Sequence, residues 1–289
     1  VNKDHLKSED LVKEKEMFSS FENNAVDNYL LQDKDTYRIF PLAREFGNAR
    51  WSYNHQSLGG YHGAKLKRYQ EIIEKSLHAE LVQGIPLNWN IINMLNTKYI
   101  IFNNQLPLPN LEEVFYDQQN GLYVFKNLSV LPRAWFVKKA ELISQPEQIF
   151  SKLNSPSFNP AETAIVEEQV PAFSYSDSSS VKMLEKDLHQ SKWEVNTPVN
   201  AFMTISEIYY PAGWKVFIDG KETKIYPVNY ILRGVEIPAG KHHVEMKFVA
   251  ETYQKSIIMS GIGLAFSLIL TITGVIIVIK KRKNTDTLS

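Results

Sequence analysis

Between Ser57 and Gln70 the chain reads SLGGYHGAKLKRYQ, a glycine-rich entry followed by Tyr61, His62, Lys65, Lys67, Arg68 and Tyr69. Cations, hydrogen-bond donors and aromatic planes in so short a stretch are the groups that recognise phosphate or sugar. If a helix begins here, Lys65 and Arg68 are three apart and share a face. Near its start, free backbone N–H groups and the helix dipole favour an anion. The candidate ligand-binding residues are therefore Tyr61, His62, Lys65, Arg68 and Tyr69, for a phosphate, a sugar or a lipid headgroup. The same residues suit a second reading: a flexible entry to an amphipathic helix whose basic side chains are solvated or pack against a membrane part.

Other chemistry is poorly represented. No GxSxG elbow occurs and the serines gather in loop-like stretches such as SYSDSSS, so no catalytic nucleophile is assigned. His242 and His243 are adjacent on a predicted strand and point to opposite faces, which does not suit one metal. With no HExxH, Walker or dinucleotide glycine pattern, and no cysteine, the sequence calls for no metal and no cofactor. The adjacent carboxylate pairs Glu9/Asp10, Glu112/Glu113 and Glu167/Glu168 read as solvated surface. Trp135, Trp193 and Trp214 read as core packing, with sugar stacking as the alternative for one of them. Asn127-Leu128-Ser129 matches a glycosylation sequon, too short a pattern to carry weight.

Lys plus Arg number 32 and Asp plus Glu number 32, so no global field favours nucleic acid, and charge-based recognition must be local. The strongest single signal lies near the carboxy end. From Ser256 to Ile279 no residue is charged, and the stretch exceeds the roughly 20 residues a helix needs to cross a bilayer. Lys280 to Lys283 follow as KKRK, which the positive-inside rule places in the cytoplasm and residues 1–255 outside it. The first residues are polar and lack an apolar signal region, and the chain opens on Val1. The expectation is a carboxy-terminal piece of a longer protein whose earlier part held membrane spans; a cleaved signal peptide is the rival.

The elements that would position these residues follow from periodicity. Residues 1–35 are charge-rich and read as a helical connector. Residues 36–158 read as mixed α/β: a strand at TYRIFPL, an amphipathic helix carrying Leu66, Tyr69, Ile73, Leu77 and Leu81 with a Glu71/Lys75 pair, and a helix running into a strand at LNWNIINMLNTKYIIF. GLYVFKN and PRAWFVKKAELI read as strands, and SQPEQIFSKLNS as a short helix capped by Ser144. Residues 159–252 carry strand-like runs about ten residues apart, the rhythm of an antiparallel β-sandwich, with Asp219-Gly220 as the clearest hairpin turn. The fold class expected is α+β: a mixed α/β extracytoplasmic region, then the sandwich close to the bilayer, then one transmembrane helix at 256–279 and a basic tail at 280–289.

Five ordered blocks, YRIFPL, SLGGYHGAKLKRYQ, INMLNTKYII, PRAWFV and the run from Tyr209 to Phe248, resemble the carboxy-terminal region of the YfhO family of bacterial multi-spanning membrane proteins, in the form common in Bacteroidetes. The resemblance covers most of the chain, from about Thr36 to the final span. It implies a protein of the inner membrane similar to glycosyltransferases of the C superfamily, which move sugar from a polyprenyl-phosphate carrier to an acceptor of the cell envelope. In such enzymes the catalytic acid lies in an early external loop that this chain does not include, so the resemblance transfers no catalytic residue, and the piece alone is expected to be inactive. The partners implied are the lipid bilayer, a polyprenyl-phosphate-linked sugar and an envelope glycan acceptor. A non-enzymatic membrane-anchored module that binds glycan or protein is the alternative class.

Overall fold

The computed structural model describes residues 21–42, 46, 49–60, 64–78 and 88–286. Tyr61, His62, Leu81, Glu9, Asp10 and most of the expected connector lie outside them. The described residues form two compact units, one running to Tyr209 and resuming at Val216–Met246, the other made of Tyr210–Lys215 with the residues from Lys247 on.

The first unit opens with a helix at Ala25–Leu30. Asn24 accepts from the Asp27 N–H while the Asp27 carboxylate accepts from the Asn24 N–H, a reciprocal capping box that satisfies two donors with no helical partner. Four strands follow: β1 (Arg38–Pro41), β2 (Thr97–Phe102), β3 (Leu111–Asp117) and β4 (Leu122–Asn127). They form one sheet in the order β1-β2-β4-β3, with β1 parallel to β2 and the other pairs antiparallel. Successive side chains point to opposite faces. Ile39, Tyr99, Ile101 and Val124 pack with Val26, Leu30 and Trp51, whereas Phe40, Ile100 and Phe125 enter the main core.

The helix Trp89–Met94 delivers Ile91, Ile92 and Met94 to that core and ends at Asn96, whose left-handed backbone (φ 55) turns the chain into β2. Asn is among the few side chains that tolerate this conformation.

The remaining strands build two further sheets. They are β5 (Ala134–Phe136), β6 (Lys139–Leu142), β7 (Thr163–Val166), β8 (Ser180–Lys186), β9 (Gln190–Thr197) and β10 (Ala201–Ile205). After them come β11 (Trp214–Ile218), β12 (Lys221–Thr223), β13 (Tyr226–Val228), β14 (Leu232–Ile237) and β15 (Gly240–Phe248). One sheet has the order β5-β10-β14-β13-β7-β6 and the other β12-β11-β15-β9-β8. Along β10, Phe202 enters the main core while Ala201, Met203 and Ile205 are buried on the opposite face. The second sheet closes on that side, where Arg233 of β14 meets the Met246 sulfur of β15 and Trp193 of β9 is fully buried. The α+β class and the layered, largely antiparallel sheets match the sequence reading.

The expected hairpin forms as read: Asp219 (φ 50) and Gly220 (φ 81) make a two-residue turn joining Ile218 to Lys221. Three details differ. The six-stranded sheet draws β5 and β6 from before residue 159, and β6 runs parallel to β7 across the helix Pro146–Leu153, so not every strand is antiparallel. That helix starts after Gln145 with Pro146 in its first turn and no side-chain cap, so Ser144 does not cap it; proline needs no donor there. Glu71 accepts from the Tyr230 hydroxyl and Lys75 lies over the Phe150 ring, in place of the expected pair with each other.

The second unit contains the helix Glu251–Asp286. Its stretch Lys255–Ile277 is long and apolar enough to cross a membrane, and no part of it is buried.

Candidate functional site

The stretch read as a ligand loop borders a cavity of about 380 Å³. Leu58, Leu66, Tyr69 and Ile73 give it a largely apolar wall, with Lys65 and Arg38 as its charged members. The backbone of Ser57–Gly60 is held on β1, since Leu58 N–H donates to Ile39 O at 2.9 Å and Ile39 N–H to Gln56 O at 2.8 Å. A Cβ on Gly60 would come within 3.0 Å of the Ser52 hydroxyl, so a glycine lets this turn lie close over the helix Arg50–Asn54.

Two of the sequence candidates line this cavity. Lys65 is exposed and precedes the helix Lys67–Ile72, whose cap position is Leu66. It therefore does not share a helix face with Arg68, contrary to the expectation. The cause is local: Leu66 holds ψ 125, so helical geometry starts only at Lys67. Tyr69 donates its hydroxyl to Leu58 O at 2.6 Å, and burial pushes that phenol up to about 12, so it stays a neutral donor. It braces the glycine turn from below. Tyr61 and His62 lie outside the described residues.

Arg68 is turned elsewhere. Its guanidinium makes a bidentate pair with Glu167, donates to Tyr230 O at 2.9 Å and lies 4.8 Å over the Tyr230 ring. The Glu167 hydrogen bond raises the already high Arg68 pKa. Arg68 thus fastens the helix Lys67–Ile72 to the end of β7 and is absent from the cavity lining.

The cation at the inner wall was not singled out from sequence. Arg38, 8% exposed, donates to Leu95 O at 2.8 Å, to the Ser206 hydroxyl at 3.0 Å and to Ser206 O at 2.9 Å. It caps the end of the helix Trp89–Met94 while its charge borders the cavity. Burial, then the neighbouring Arg133, lower it to about 10, so it remains a cation at neutral pH. Behind it, Glu207 receives Arg133 Nη2 at 2.8 Å, Lys186 at 3.0 Å and Arg38 at 3.5 Å. Burial alone would raise the Glu207 carboxyl, but these cations outweigh it and hold it at about 2. One carboxylate facing three cations leaves the cavity's inner wall positive. The available signal was a lone Arg in each of two apolar runs, YRIFPL and PRAWFV.

The other sequence candidates resolve simply. Glu112 and Glu113 are exposed, and Glu168 pairs with Lys224, away from the Glu167–Arg68 pair. Trp135 is buried with its indole N–H on Pro160 O. Asn127, of the sequon, is 1% exposed and donates to Asn93 and Thr97, which leaves no room for a glycan. His242 lies 2.6 Å from Asp219. Among the described residues no group of three or more His, Asp or Glu side chains is placed to hold a metal ion. An apolar chamber with a buried cation at one wall and an exposed one at another suits an amphiphile with an anionic group.

Residues 152–260 match the family model described as bacterial membrane protein YfhO. The match spans β7 to β15 and the first turns of the long helix, and it includes Lys186 and Glu207 but not the Ser57–Tyr69 wall of the cavity. No curated protein and no solved structure matches the chain.

Proposed function

Taking residues 152–260 as a YfhO-family membrane-protein region, we propose that the chain serves as the extracytoplasmic part of a polytopic inner-membrane protein similar to the lipid-linked-sugar glycosyltransferases. In this reading the helix Lys255–Ile277 crosses the membrane with its basic tail in the cytoplasm, and residues before it lie outside. The cavity takes the carrier or the acceptor of a cell-envelope glycan reaction. Its apolar wall receives hydrocarbon and its cations receive the phosphate. The chain's own part is binding and orientation; no proton transfer is assigned to it.

The observation that carries this reading is the pairing of a largely apolar 380 Å³ chamber with two cations, Arg38 and Lys65, on its lining. A purely structural void of that size would be expected to bury no charge, whereas a phosphate ligand needs one. Lys65→Ala in the whole protein, inserted in its own membrane, is the test. Loss of sugar transfer with normal insertion and normal folding supports the assignment; unchanged turnover contradicts it. Arg68 is not a suitable test residue, because its partner is Glu167.

A further inference from the structure

The second unit holds more than the membrane helix. Its other part is the loop Tyr210–Lys215, closed against the end of β15. Val249 N–H donates to Gly213 O at 2.6 Å, and the Trp214 and Phe248 rings meet edge to face at 5.7 Å. Gly213 adopts φ +94, and a Cβ there would stand 2.6 Å from the Phe248 ring. Glycine alone allows both the backbone turn and the close approach. Around this junction Tyr210 is 41% exposed, Phe248 38% and Tyr253 67%.

Aromatic side chains collected at a surface in this way are costly in water, and Trp and Tyr are the residues that prefer the boundary between hydrocarbon and headgroups. If hydrocarbon begins at Ser256, a rise of about 1.5 Å per residue puts Tyr253 about 4.5 Å outside it, within a headgroup layer roughly 5–8 Å thick. Val249, to which the loop is hydrogen-bonded, stands about 10 Å outside it, at the outer edge of the layer, within the reach of a Trp or Tyr side chain. Lys255, exposed at the start of the span, adds a cation at the level of the lipid phosphates.

We infer that Tyr210, Trp214, Phe248 and Tyr253 form a lipid-binding surface seated in the headgroup layer, so that the loop Tyr210–Lys215 is a second point of membrane contact beside the helix. The helix alone sets neither its own depth nor its rotation about its axis; a side loop in the interface fixes both. The inference rests on the span Lys255–Ile277 crossing the bilayer, and it commits to lipid as the occupant because the chain carrying Phe248 and Tyr253 runs directly into that span.

The test uses the full chain reconstituted in phosphatidylcholine vesicles whose acyl chains carry bromine either near the headgroups or near the bilayer centre. The fluorescence of wild type minus that of Trp214→Phe isolates Trp214, since Trp51, Trp89, Trp135 and Trp193 are common to both chains and cancel in the difference. The expected result is quenching of the difference signal about twofold stronger by the shallow bromines than by the deep ones. Tyr210→Trp in the Trp214→Phe chain gives a second probe with the same expected order. An unquenched signal from vesicles that still carry the chain overturns the inference and leaves the membrane span standing. Stronger quenching by the deep bromines also overturns it, and a chain that fails to float with the vesicles removes the span and the inference together.

Discussion

The guanidinium of Arg68 clasps the carboxylate of Glu167 with Nη2 2.8 Å from Oε2, and the same side chain caps the Tyr230 carbonyl. A residue that in sequence looks like part of an anion-binding cluster is occupied by the protein itself. Arg68→Ala should lower stability by about 2 kcal/mol, the scale of a half-buried, charge-assisted bidentate contact. In urea unfolding, a double-mutant cycle with Glu167→Ala should return a coupling of about 1 kcal/mol or more. Strict additivity of the two substitutions would show that the pair does not form.

Glu207 is the carboxylate shared by Arg38, Arg133 and Lys186 in the interior. Glu207→Gln should cost about 3–5 kcal/mol, because it leaves buried cations without their counter-charge. The pH dependence follows from the lowered carboxyl. Its folded value, about 2, lies below the ordinary 4.5, so its stabilisation is fully present above about pH 4.5 and is lost as pH falls toward 2. Denaturation midpoints measured across that window should fall for wild type and stay flatter for Glu207→Gln.

His242 lies 2.6 Å from Asp219, and that hydrogen bond raises its pKa above the ordinary 6.5. A raised histidine contributes stability that is complete below pH 6.5 and lost as pH passes through the folded value. Proton NMR of the His242 ring should show titration above 6.5, and Asp219→Asn should bring it back down. A wild-type ring that titrates at or below 6.5 would refute the pairing.

Gly213→Ala places a methyl group against Phe248 in a backbone conformation that L side chains rarely adopt. The expected cost is about 1–3 kcal/mol, and emission from Trp214, whose ring rests on Phe248, should change with it. Gly220→Ala carries similar backbone strain but meets nothing within 4 Å, so it should leave that emission unaltered.

Much of the fold was legible because strands such as β9 and β10 alternate or concentrate β-favouring residues, and because Asp219-Gly220 has one natural turn. β8 was not legible. Its sequence, SVKMLEK, is rich in helix formers, and only pairing with β9 makes it a strand. β3 hid behind Glu112 and Glu113, adjacent charges on opposite faces that an edge strand can still expose to water. The cavity was half legible for a similar reason. Lys65 and Tyr69 sit in the glycine-rich stretch that contains their signal. Arg38 acquires its role from Leu95, Ser206 and Glu207, partners brought near only by the packing of separate sheets. No local pattern encodes such distant contacts.

In the function proposed above, the chamber beside Ser57–Gly60 receives an anionic amphiphile through Lys65. The most direct test is a titration of the protein with a short isoprenyl phosphate and with the corresponding isoprenyl alcohol, for wild type and Lys65→Ala. The variant should bind the phosphate about two- to fivefold more weakly, the worth of one exposed charge contact, while the two proteins bind the alcohol alike. Equal affinity of wild type and variant for the phosphate would contradict it.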